Sequence, residues 1–233
     1  MVLSGQTVGK KGESVKLSKE EIRRKLLHLF ALLMPVGIFY GPAWSFPPLF
    51  VPILLGTLFF ASVIVEFLRF KSPAVQTFFF KCFGSMLRKE EHFKVTGSTW
   101  VIGAGFICSI LFAHEPYISF IALFLFILGD AMAALVGISM GRVKIGKKSL
   151  EGSMACFLTC IALFYLVFPL FPGLLEVWKN RLPHSIVLVT ALVITVFELV
   201  PLKVHPRIII NDNLAVPVIA GYMIKVLGLL LPA

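Results

Sequence analysis

Three carboxylates stand in long apolar stretches of this 233-residue chain: Glu66, Asp130 and Glu198. An ionisable side chain among apolar neighbours is costly to bury and is a functional candidate by default. Glu66 and Glu198 lie near the ends of their stretches, so reaching the aqueous interface and serving a site both account for them. Asp130 is different. It lies eleven residues from Gly141 at the end of its stretch, roughly 16 Å of helix, which is too far for the side chain to reach water. It must face other helices or a water-filled cleft. Asp130, Ala133, Gly137 and Gly141 fall on one helix stripe roughly 80° wide. Such a stripe admits close approach of another helix or of a ligand, and packing alone needs no aspartate at its head.

The segment that follows, residues 142–153, carries Arg142, Lys144, Lys147 and Lys148 with Ser149, Glu151 and Gly152. Lysines are point charges suited to phosphate oxygens. Glycines let backbone N–H groups close on an anion, and a helix starting near Gly152 adds its dipole. The segment resembles a phosphate cradle without being a Walker A sequence. A Mg²⁺ bridging Asp130 to a polyphosphate would give that carboxylate a positive partner. Three further clusters bear similar chemistry. Residues 87–99 hold Arg88, Glu90, Glu91, His92, Thr96 and Gly97. Residues 210–214 hold Asp212 and Asn213, which offer oxygen ligands or a helix N-cap. His28 follows Arg24 by four residues, so both can share a helix face.

The elements that must position these residues follow from composition. The chain is 58% hydrophobic and 15% charged with 23 Phe, and its mean hydropathy is +0.93. A soluble globule has nowhere to put that apolar surface, and disorder, collagen and disulfide scaffolds are excluded. Long unbroken apolar runs, rather than alternating short segments, indicate an all-α integral membrane protein. Seven stretches qualify: 26–40, 48–66, 99–113, 117–140, 153–171, 185–200 and 214–232. The net charge is +10. With alternating sides, nineteen Lys and Arg fall on the side of the N-terminus and only Lys179 and Arg181 on the other. The positive-inside rule then predicts about seven transmembrane helices, with the N-terminus cytoplasmic and the C-terminus on the opposite side. No cleavable signal peptide is read at the N-terminus. Residues 1–17 read as a flexible polar tail and 18–233 as a single transmembrane catalytic domain. Cys82, Cys108, Cys156 and Cys160 lack CxxC spacing and read as packing residues.

These residues form a recognisable pattern. Asp130-x-x-Ala133-x-x-x-Gly137-x-x-x-Gly141, followed by Lys147-Lys148-Ser149-x-Glu151-Gly152, resembles the signature of the CTP-dependent lipid kinases. That family comprises dolichol kinase, phytol kinase and CTP-dependent diacylglycerol kinase, and is related to the phosphatidate cytidylyltransferases. The resemblance extends over nearly the whole chain. Arg24-Lys25-x-x-His28 is similar to the opening of the family's first span. Arg88-x-x-Glu91 with Thr96-Gly97-Ser98-Thr99 is similar to its loop before span 3, with Glu90 as the alternative acid. Glu198, then Asp212-Asn213-Leu214-x-Val216-Pro217, resembles its closing motif. Asn211 departs from that motif, where a second acid usually stands, which makes Glu198 more important. Ser149 replaces a threonine and keeps the hydroxyl. Ile145-Gly146 stand where the cytidylyltransferases usually have Ser-Pro, which favours the kinase side.

The resemblance implies Mg²⁺-dependent transfer of the γ-phosphate of CTP to the hydroxyl of a membrane lipid, either an isoprenoid alcohol (polyprenol, dolichol, phytol) or diacylglycerol. It implies that Asp130 and Asp212 hold Mg²⁺ with help from Glu198. Lys147, Lys148 and Arg88 clamp the triphosphate, and Gly137, Gly141 and Gly152 permit its close approach. Thr96, Gly97, Ser149 and Asn213 join the nucleotide-binding set, and Glu151 joins the two lysines in the catalytic one. His28 or one of the acids serves as general base. The expected location is a bacterial plasma membrane, or an endoplasmic reticulum or plastid membrane, with the site on the cytoplasmic face. A homodimer is expected by analogy with the cytidylyltransferases. Nucleic acid is not an expected partner, because the cations are spread over short loops beside the bilayer. A cytidylyltransferase forming a CDP-lipid is the nearest alternative. A transporter is the alternative from another class, and it leaves the lysine-rich segment unexplained.

Overall fold

A computed structural model of the chain describes residues 24, 26, 28–87, 89–200, 202–205 and 208–230. The tail 1–17 and Arg88 lie outside the described residues. Each of the seven apolar stretches forms a helix. The first apolar helix runs His28–Tyr40, and its regular part is α1, Leu33–Tyr40. There follow α2 (Phe50–Lys71), α3 (Pro73–Phe83), α4 (Gly97–Leu111) and α5 (Pro116–Ser139). Next come α6 (Leu150–Ala162), α7 (His184–Leu199) and α8 (Asp212–Leu230).

The core is built around α5. Pro116 opens it at a position where a missing N–H costs nothing. Every residue from Ile118 to Ile127 is buried, as expected of a helix that is apolar all round. Helices α1, α4, α6, α7 and α8 all pack on it. Phe120 gathers the rings of Phe39, Phe124, Phe168 and Phe171 around itself, in the edge and offset arrangements that aromatic quadrupoles favour. Helix α2 lies outside this core against α4 and α3. It turns Ile53, Leu54, Leu58, Phe60 and Ile64 outwards, an apolar face suited to lipid rather than water.

Four helices are long and apolar enough to cross a membrane: Phe50–Lys71, Pro116–Ser139, Leu150–Leu170 and Asp212–Leu230. The chain is therefore an all-α membrane-embedded protein. His28–Tyr40, Gly97–Leu111 and His184–Leu199 are apolar but shorter. The 15 residues of α4 rise about 22 Å, less than the ~30 Å of a hydrocarbon core.

Two connections that the sequence reads as loops contain regular structure. The 67–98 connection contains α3, whose three consecutive phenylalanines are too few for a span but enough for a short helix opened by Pro73. The lysine-rich segment is a hairpin, with β1 (Lys144–Ile145) antiparallel to β2 (Lys148–Ser149) and Lys144 opposite Ser149. Gly146 holds φ +61 at the first position of its two-residue turn, a geometry such hairpins require and glycine adopts freely. A second antiparallel pair joins β3 (Lys203–His205) and β4 (Ile208–Ile209).

Candidate functional site

The motif segments converge at one end of the bundle, where the α5–α6, α7–α8 and α2–α4 connections meet. The β1–β2 hairpin turns Lys148 inwards. Its ammonium lies 2.8 Å from Glu198 Oε1 and 3.0 Å from Asp212 Oδ2, and it also donates to the Glu198 backbone carbonyl. Burial pulls the Lys148 pKa down, but the Glu198 and Asp212 carboxylates more than reverse that, and the side chain is held above the ordinary lysine value. Residues expected to serve a phosphate and a metal separately are thus bonded to each other. Glu198 is enclosed by the protein: its side chain is 5% exposed.

Asp130 is half-buried and faces the first apolar helix, with Oδ2 3.6 Å from His28 Nε2. It also acts electrostatically on Glu198, as does Asp212. Asp130, His28, Glu198, Asp212 and Lys148 therefore form one polar neighbourhood inside an apolar bundle. Lys147 is exposed at the hairpin tip.

The glycine stripe of α5 is a packing face. A Cβ on Gly137 would meet Ser149 Oγ at 2.9 Å and the Gly152 Cα at 3.6 Å. A Cβ on Gly152 would meet the Ala133 carbonyl at 2.6 Å, and one on Gly141 would meet Ser149 Oγ at 2.6 Å. The space that these glycines were expected to open for a nucleotide is filled by the next helix, as small-residue stripes in membrane helices allow. Ser149, expected on the nucleotide, accepts from Gly152 N at 3.2 Å and caps α6. Glu151 turns back to the hairpin and accepts from Val143 N at 3.1 Å. Lys144 Nζ donates to the Gly137 carbonyl at 3.3 Å, satisfying an end group of α5.

The start of α4 is held by carboxylates from elsewhere in the chain. Glu66 Oε1 accepts from Thr96 N at 2.9 Å and from its hydroxyl at 2.7 Å. Glu91 Oε1 accepts from Gly97 N at 2.8 Å. Asn213 Nδ2 reaches the Gly97 carbonyl at 3.1 Å, joining the starts of α4 and α8. At the start of α8 the Asn213 N–H is shared by Asn211 Oδ1 at 3.0 Å and Asp212 Oδ1 at 3.1 Å, so the expected capping falls to Asp212 together with the residue before it and not to Asn213. One turn on, Pro217 has no N–H to give the Asn213 carbonyl.

Sequence reasoning missed Arg69. Glu66 is buried and pairs at 2.6 Å with the Arg69 guanidinium, itself 1% exposed. Arg69 also donates to the backbone carbonyls of Glu91 and Lys94. The signal was an acid and a base three residues apart on a helix, which only burial makes consequential. Thr96 and Gly97 are thereby fixed by Glu66 and Glu91.

The donor set suits Mg²⁺, a hard cation usually held by one or two carboxylates that completes its shell with water and phosphate oxygens. Glu198 Oε2 is a buried carboxylate oxygen with no hydrogen-bond partner among the described residues, next to Asp212 across Lys148. Among the described residues, no group of three or more His, Cys, Asp or Glu is gathered for metal binding.

The fold and site define the class: an all-α membrane-embedded protein with a charged cluster at one end of its bundle. No protein-family model matches the chain, and no solved structure matches it. It is similar to an uncharacterized protein of Rickettsia prowazekii (strain Madrid E), 25% identical over 151 residues, covering 64% of this chain and 71% of the relative.

Proposed function

We propose that this chain is a seven-span, CTP-dependent lipid-alcohol kinase with its site at the cytoplasmic end of the bundle. The observation that carries the reading is the convergence of Lys148, Glu198 and Asp212 beside Asp130 and His28. Those residues come from five separate segments, and all lie in the motifs that resemble the lipid kinases. Phosphoryl transfer is mainly positioning and charge neutralisation. Glu198 and Asp212, with Asp130 close by, would hold Mg²⁺, which when bound neutralises phosphate oxygens. Lys148 keeps the Glu198 and Asp212 carboxylates together and stands where phosphate oxygens would share its charge. Lys147, at the exposed tip of the hairpin, meets the water-soluble nucleotide. The acceptor hydroxyl arrives from the bilayer side, where Asp130 lies. His28, held against Asp130, or one of the acids takes the hydroxyl proton as the new oxygen–phosphorus bond forms and CDP leaves.

The test is direct. Purified protein in detergent receives Mg²⁺, polyprenol, phytol or diacylglycerol, and CTP radiolabelled on the γ-phosphate. The extracted lipid is expected to carry label. CTP labelled on the α-phosphate is expected to leave the lipid unlabelled; α-label in the lipid when phosphatidate is supplied as acceptor, with pyrophosphate leaving and no γ-label transferred, assigns a cytidylyltransferase. No labelled lipid from any acceptor with either nucleotide overturns the reading, and Asp130→Asn with full activity overturns the role given to that carboxylate.

A further inference from the structure

Helix α3 has no role in the polar cluster, yet its placement is specific. It has 11 residues, seven of them hydrophobic, and none is buried. Its inner face is anchored by two ring contacts. Phe79 lies 4.7 Å under the buried Arg69 guanidinium, and Phe80 stacks on His92 at 4.7 Å. These contacts turn Ala74, Phe78, Lys81 and Cys82 outwards together, at the spacing of one helix face. Phe78 is 68% exposed, and Phe93 in the adjoining loop is 85% exposed.

Length and exposure limit what can cover this face. Eleven residues rise about 16 Å, too short to span a bilayer. Outward phenyl rings are ill-suited to open water. What fits both is the headgroup boundary, where an amphipathic helix lies in the plane of the membrane. Charge selects among headgroups. Residues 67–89 include Arg69, Lys71, Lys81, Arg88 and Lys89 and no acid. Arg69 is committed to Glu66, whereas Lys71 and Lys81 are exposed. We propose that α3 lies along the membrane surface and that its outward face, with Lys71 and Lys81, docks anionic phospholipid headgroups. The proposal does not depend on the chemistry assigned to the polar cluster. It places those headgroups beside the loop that holds the start of α4, through Phe79, Arg69 and Glu66 on one path and Phe80 and His92 on the other.

The cysteines supply the probe. Cys82 is exposed on α3, and Cys108, Cys156 and Cys160 are buried, so a thiol-directed fluorophore marks this helix in the folded protein. The labelled full chain is placed in phosphatidylcholine vesicles containing a headgroup spin-labelled quencher, either phosphatidylglycerol or phosphatidylcholine at equal fraction. Phosphatidylglycerol is expected to quench more strongly, with a local enrichment of about five-fold per lysine. Lys71→Gln with Lys81→Gln is expected to bring the two quenchers to parity while the buried cysteines stay protected. Quenching by neither lipid takes α3 off the membrane and overturns the proposal. Equal quenching by both in the parent protein overturns the anionic preference, and a preference that survives the double substitution overturns the assignment to these lysines.

Discussion

Replacing Lys148 by Met tests whether the polar cluster is a coupled unit. The side chain keeps its length and loses its charge. Glu198, 5% exposed, then loses its 2.8 Å partner and retains a buried carboxylate with Oε2 already lacking a hydrogen bond among the described residues. Breaking a buried pair from one side costs about 3–5 kcal/mol, because the remaining charge stays desolvated. Asp212 is 37% exposed, so water screens its share, which adds at most about 1 kcal/mol. Lys148 itself is 29% exposed, which places the total near the lower bound, about 3 kcal/mol. For a domain of this size that is a loss of about 6–12 °C in Tm. The assay follows reaction of Cys108, Cys156 and Cys160 with a thiol-reactive dye during heating, in a Cys82→Ser background. Glu198→Gln added to Lys148→Met removes the stranded charge and is expected to recover a large part of the loss. An unchanged midpoint in Lys148→Met, or no recovery in the double variant, would refute the coupling.

The same ion pairs set a pH dependence. The Lys148 pKa is raised in the folded protein, so its contribution is complete below the ordinary lysine range and is lost as pH rises through the raised value. The Tm gap between the parent and Lys148→Met is therefore expected to stay constant from neutral pH upwards and to close only in strong alkali, read from melts across pH. Gly152→Ala drives a Cβ to 2.6 Å from the Ala133 carbonyl. Separating α5 from α6 is expected to cost about 1–3 kcal/mol in the same melts, whereas Gly37→Ala, with open space around it, is expected to be tolerated. Arg69→Met leaves Glu66 buried without its cation and frees the carbonyls of Glu91 and Lys94; loss of about 3–5 kcal/mol is expected, with faster amide exchange in residues 89–97 as the local sign. Lys225→Met removes the 2.6 Å pair with Glu115 at the other end of the bundle. Both side chains there are about one-third exposed, so a change under about 1 kcal/mol is expected.

Hydropathy is a local property, so the sequence alone located all seven apolar helices to within a few residues and assigned the all-α membrane class. Helix arithmetic was enough to expect Asp130 to face other helices or a cleft, and the structure sets it 3.6 Å from His28 of the first apolar helix. The stripe of Gly137 and Gly141 was legible as a close-approach surface, but its partner was not. Helix and ligand satisfy the same spacing, and only the seating of Ser149 and Gly152 against it chose the helix. The pairing of Lys148 with Glu198 and Asp212 joins residues 50 and 64 positions apart. No periodicity encodes such a contact, because it depends on how α7 and α8 pack against α6. Glu66 and Arg69 show the reverse case. Their three-residue spacing was visible, but on an exposed helix it would signify little. Burial at the α2–α4 junction turns that pair into the clamp that holds the start of α4.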